Sequence, residues 1–162
     1  MNGVGRMENT KESNLLTISR ISSELCVEAR REVPDIAIYG INEAVPFCLQ
    51  EIGRKNVEHI LVLYLSTSSH LTAYSIASIG TESQCCYSIS EVIRCAILCN
   101  ATQLLLAHNH PSGNLVPSYD DLKATRQLAQ AASLFHIKLI DSIIVSPTGD
   151  SYSMRKSLNE KG

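Results

Sequence analysis

Apolar positions recur along this chain in two rhythms, at helical spacing and in short unbroken runs, and their order predicts alternating helices and strands. From Ile41 to Gly53 the apolar set Ala44, Val45, Phe47, Cys48, Leu49 and Ile52 repeats as one face of a helix. Asn42 reads as its N-cap, Pro46 falls in the first turn and Gly53 serves as the stop. His59 to Leu65 is a compact aliphatic run, the pattern of a central strand. The turn Ser66-Thr67-Ser68-Ser69 follows, then a less apolar and more exposed hairpin partner from Leu71 to Ile79. Ser88-Ile89-Ser90-Glu91 is a capping box opening a helix to about Asn100, with Val92, Ile93, Ala96 and Ile97 facing inward. A strand from Gln103 to Ala107, a breaker loop, a helix from Ser118 to about Leu134 and a strand from Ile137 to Val145 come next. Pro147-Thr148-Gly149-Asp150 is a turn, and Ser151 to Met154 adds an edge strand.

The first 13 residues are polar and aperiodic, the composition of a disordered leader. Residues 14–40 form an N-terminal extension in which Leu15 to Val27 alternates loosely, as an edge strand or a short helix. Helix, hairpin, helix, strand, helix, strand is the order of an α/β layered sheet with helices on both faces. The 162 residues suffice for one core that buries roughly two-thirds of the unfolded surface.

A net charge of -2 and a pI near 6.2 argue against broad attraction to nucleic acid, which shows as a basic stripe. Six cysteines raise the question of a disulfide framework. The chain starts without a charged-then-apolar signal segment, no run reaches a membrane span, and no Cys-x-x-Cys zinc spacing occurs. The expectation is a cytoplasmic protein with reduced thiols, Cys95 and Cys99 serving as small core residues on their helix.

Chemistry concentrates in Leu104-Leu105-Leu106-Ala107-His108-Asn109-His110-Pro111-Ser112-Gly113 and its continuation to Pro117-Ser118-Tyr119-Asp120-Asp121. Side chains alternate along a strand, so His108 and His110 project to one side at its end. Asp121 lies in the first turn of the next helix, and a loop folding back brings its carboxylate beside both imidazoles. Two histidines and a carboxylate suit zinc, and three protein ligands with one open position is the catalytic arrangement. The same residues have a plainer role, because Ser118-x-x-Asp121 resembles a capping box and an acid suits a helix N-terminus. The two roles are compatible.

This set, with His-x-His, seven residues, Ser, two residues and Asp, resembles the JAMM motif as carried by RadC-like JAB-domain proteins. Weaker similarities extend outward. Leu63-Tyr64-Leu65 resembles the family's first core strand, Ile79-Gly80-Thr81 its Gly-Thr turn, and Ser90-Glu91-Val92-Ile93 its Pro-Arg-Glu segment. Leu139 to Val145 resembles its closing strand, and the whole covers about residues 40 to 158. The resemblance implies the JAB/MPN, cytidine-deaminase-like architecture, a layered mixed β-sheet flanked by helices over residues 41–158. RadC proteins usually carry a helix-hairpin-helix module as well, for which this sequence has no room, so a stand-alone domain is expected. A ββα nuclease spreads its His-Asn-His along the module, and zinc deaminases need a Glu two after the His and a Pro-Cys-x-x-Cys, so neither is matched.

What the resemblance implies for function is a zinc metallohydrolase of metallopeptidase or isopeptidase type. His108, His110 and Asp121 would be the metal ligands, Ser118 the oxyanion donor, and a peptide or isopeptide the substrate. The resemblance also puts the general-base Glu five residues before the Gly of the Gly-Thr turn, which here is Ser75. A hydroxyl is no substitute for a carboxylate, so turnover is expected to be impaired unless another acid serves. Glu82 is nearest in sequence, but seven strand residues span about 23 Å, and Glu91 serves its helix start. The alternatives are a metal-bearing binding module without turnover and, from the DNA-repair label attached to RadC rather than from these residues, a nucleic-acid partner.

Overall fold

A computed structural model describes residues 33–80 and 87–155. The expected leader, the Leu15 to Val27 segment, Glu82 and the cysteines Cys26, Cys85 and Cys86 lie outside the described residues. A five-stranded mixed sheet is built from β1 (His59–Leu65), β2 (Leu71–Ile79), β3 (Gln103–Asn109), β4 (Lys138–Val145) and β5 (Ser151–Ser153), in the order β2-β1-β3-β4-β5. Only the β3–β4 pair is parallel, and its crossover is α3 (Tyr119–Ser133).

Strand alternation sorts the core into two layers. Leu61, Leu63 and Leu65 of β1, with Leu105 and Ala107 of β3, pack beneath α1 (Ile41–Cys48). Ile60, Val62 and Tyr64, with Leu104 and Leu106, pack beneath α2 (Ile89–Leu98) and α3. β1 and β3 are therefore buried on both faces, which explains their unbroken aliphatic runs. The α/β architecture with helices on both sides is as the pattern predicts.

Several local expectations change. Helix α1 begins after Gly40, so Asn42 lies inside it and does not cap it. Pro46 then sits in the second turn, and the predicted single helix ends as a π-helical turn over Leu49–Gly53. A Cβ at Gly53 would come within 2.9 Å of a Leu49 side-chain methyl, so a larger residue there would require that side chain to shift. Ser88 caps α2 by accepting the Glu91 N–H, whereas the Glu91 carboxylate faces Arg94 at 3.7 Å. Ile97 is exposed, because it lies about 90° around the helix from the centre of the Val92, Ile93, Ala96 stripe. Leu134 is exposed where the chain leaves α3. Strand β3 runs past Ala107 and carries His108 and Asn109 within its paired length.

Among the described residues, Cys48, Cys95 and Cys99 are free thiols. Burial pushes the Cys48 thiol up to about 12, keeping it in the inert protonated form. No helix among the described residues is long and apolar enough to cross a membrane.

Candidate metal centre

His108 occupies the last turn of the β3 pleat on the side of α2 and α3, directly opposite Ile60 of β1. The chain then bends through a turn in which the Gly113 N–H donates to the His110 carbonyl. Gly113 has φ +80°, a left-handed value that glycine adopts without the Cβ penalty. This bend redirects the backbone so that Pro117 and Ser118 return to the end of β3 and α3 starts beside the histidines.

Ser118 closes a complete capping box. Its hydroxyl accepts the Asp121 N–H at 3.1 Å and donates to Asp121 Oδ2 at 2.7 Å, while its own N–H donates to Oδ2 at 2.8 Å. Those bonds engage Oδ2 and leave Oδ1 facing His108, so the capping box is compatible with a carboxylate oxygen being offered to a metal ion.

One potential ligand atom from each of His108, His110 and Asp121 lies within 4.8 Å of the others. The two Nε2 atoms are 3.1 Å apart, His108 Nε2 is 3.5 Å from Asp121 Oδ1, and His110 Nε2 is 3.8 Å from Oδ2. Zinc–ligand bonds of about 2.0–2.2 Å at tetrahedral angles require donor separations of about 3.3–3.6 Å, and the two separations from His108 Nε2 lie close to that edge. His110 Nδ1 faces the Asn114 carbonyl, which can only accept, so Nδ1 carries the proton and Nε2 presents its lone pair. The His108 Nε2 atom faces the same point from 3.1 Å away. The donor set and its geometry fit a divalent ion.

Burial pushes the Asp121 carboxyl up, but the adjacent His108 ring and the two Ser118 bonds outweigh burial and hold it well below the usual carboxylate range. The folded value therefore lies below the unfolded one of about 3.9. Its stabilisation is present above that unfolded value and is lost as pH falls toward the folded one. Metal-free protein is expected to lose thermal stability on acidification below about pH 4, and Asp121→Asn to flatten that dependence. Melting temperatures of both proteins across this range check it.

The cluster opens into a cleft of about 670 Å³ whose lining includes Glu58, Tyr87, His108, His110, Ser118 and Asp121. Glu58 precedes β1 with the same parity as Ile60, so it projects to the His108 side of the sheet. Ser75 does not line the cleft. It lies half-buried on the edge strand β2, paired with Val62, and its hydroxyl is 3.0 Å from the Tyr64 hydroxyl. Burial lifts the Tyr64 hydroxyl above its ordinary range, so this pair is a neutral structural contact. Behind the first turn of α3, the buried Thr125 hydroxyl donates to Ser142 of β4 at 3.1 Å, tying the helix that carries Asp121 to the sheet. Glu58 belongs to none of the sequence motifs. Its signal was an acid immediately before a buried strand, meaningful only once β1 is known to lie beside β3.

A mixed α/β sheet with His-x-His at one strand end and an acid from the following helix defines a JAB-type domain with a group compatible with a metal ion. The chain belongs to the RadC-like JAB domain family, whose model matches residues 38–160. A UPF0758 protein of Finegoldia magna is 40% identical over 112 residues, covering 69% of this chain and 49% of that protein. A UPF0758 protein of Acinetobacter baumannii is 30% identical over 159 residues, covering 98% of this chain and 66% of that protein. One of Bordetella avium is 41% identical over 100 residues, 62% of this chain and 44% of that protein. The chain thus spans about half to two-thirds of the length of the curated relatives it matches.

Proposed function

We propose that this domain is a zinc-dependent hydrolase of peptide or isopeptide bonds. The observation that carries this reading is the convergence of His108, His110 and Asp121 in one cleft that Glu58 and Ser118 also line. A zinc ion held by those three residues would polarise the scissile carbonyl and bring the pKa of a bound water to about 7.

The chain's own groups then divide the remaining work. Glu58, the residue just before β1, serves as general base, taking the proton of the attacking water and passing it to the leaving amine. This assignment supplies the acid that position 75 lacks, so Ser75 is no obstacle to turnover. Ser118, beside the metal group, donates its hydroxyl to the oxyanion that forms on the former carbonyl. Its present bond to Asp121 Oδ2 keeps that hydroxyl fixed at the rim of the site until substrate arrives. Removing one oxyanion donor costs about 10²–10³ in rate.

The test is metal analysis of the purified protein followed by assay against a broad peptide and isopeptide library. Expected are one zinc per chain, cleavage that a chelator abolishes, and restoration by added zinc. A zinc-loaded protein that cleaves none of the library would overturn the hydrolase reading. It would favour the binding module without turnover.

A further inference from the structure

The residue between the two histidines has a task that its position in the motif does not announce. Asn109 is fully buried and, by strand alternation, points to the face of the sheet opposite His108, so it cannot reach the metal group. Its side chain instead reaches across to the segment leading into β1. Oδ1 accepts the His59 N–H at 2.7 Å, and Nδ2 donates to the carbonyls of Lys55 at 3.2 Å and Val57 at 3.1 Å. The partners force this orientation of the amide, since a backbone N–H only donates and a carbonyl only accepts.

Both amide protons and the amide oxygen are therefore spent on one short stretch, and Val57 and His59 flank Glu58 on either side. The paired register of β1 with β3 ends at Ile60 and His108. Beyond that point the Asn109 side chain takes over from the backbone ladder. The Glu58 carbonyl is itself held, accepting the Gly80 N–H at 2.8 Å. A neutral amide suits the place: a carboxylate would repel two carbonyls, and a shorter side chain would not span them.

We infer that Asn109 is a positioning residue for Glu58, fixing the backbone that carries the base at a set height beside His108 and His110. The inference rests on the proposed hydrolase reading. One tripeptide, His108-Asn109-His110, then presents metal ligands on one face of the sheet and sets the base from the other. A misplacement of about 1 Å can cost a reaction 10²-fold, so the latch has catalytic weight without touching substrate.

The experiment is a double-mutant cycle between Asn109→Ser and Glu58→Gln in the full chain, reading kcat, KM and zinc affinity. Asn109→Ser alone is expected to lower kcat by about 10²-fold, with KM and zinc affinity little changed. In the Glu58→Gln background the same substitution is expected to cost little, because the group it positions is gone. A full loss persisting in that background, or zinc affinity falling in step with kcat, overturns the inference. Should Asn109→Ser fail to fold, amide exchange in the unaltered protein decides: a protected His59 amide supports the latch, and one exchanging like an exposed amide overturns it. Failure of the underlying activity shows separately, as no zinc-dependent cleavage by the unaltered protein.

Discussion

Replacing His108 with alanine is expected to leave the purified protein without stoichiometric zinc and without measurable peptide cleavage. Among the described residues three side chains converge on the candidate ion position, and His108 stands at the shared corner, 3.1 Å from the His110 nitrogen and 3.5 Å from Asp121 Oδ1. Loss of an outer-shell partner typically costs about 10–100-fold in metal affinity, and loss of a ligand itself should exceed that. The fold should persist, because the side chain sits at the cleft wall, whereas Leu104 and Leu106 of the same strand supply the buried packing. Zinc content by elemental analysis, with circular dichroism as the control for folding, checks the expectation. Retention of one zinc per chain by His108→Ala would remove this cluster as the metal site.

Glu58→Gln separates metal binding from turnover. Gln keeps the size and polarity of the side chain but cannot take a proton, so kcat is expected to fall by about 10²–10⁴-fold. Zinc stoichiometry should be unchanged, since Glu58 is not among the three converging residues. The companion variant is Ser75→Glu. A carboxylate placed against the buried Tyr64 hydroxyl would be partly desolvated, so lower stability and no gain in rate are expected. The opposite pair of results, full activity in Glu58→Gln and a gain in Ser75→Glu, would return the base to position 75.

The contrast between these two positions shows how much of the site a linear reading holds. His108, His110 and Asp121 are legible because their spacing combines local rules: alternation along a strand, a Pro-Ser-Gly bend, and a capping box that puts an acid in the first turn of a helix. The position of the proposed base is not local. Glu58 is 50 residues from His108, and both line one cleft because β1 pairs with β3, a choice that no periodicity within either strand encodes. Counting back along the hairpin from Gly80 lands on Ser75, which belongs to the strand beyond β1 and faces Tyr64 instead of the cleft.

By itself the sequence determined the kinds of element and their order, because burial on one or both faces writes its period into the chain. It determined the α/β class, the doubly buried central strands and the three side chains suited to a metal ion. Only the tertiary structure decided which strands are neighbours, and therefore that Glu58 lines the cleft with the histidines. It also decided that Ile97 and Leu134 face solvent, that α1 ends in a π-helical turn, and that Asn109 grips the segment bearing Glu58. The physical reason is one of range: turns, caps and strand alternation act within a few residues, whereas strand pairing and side-chain bonds across the sheet join positions that only folding brings within about 3 Å.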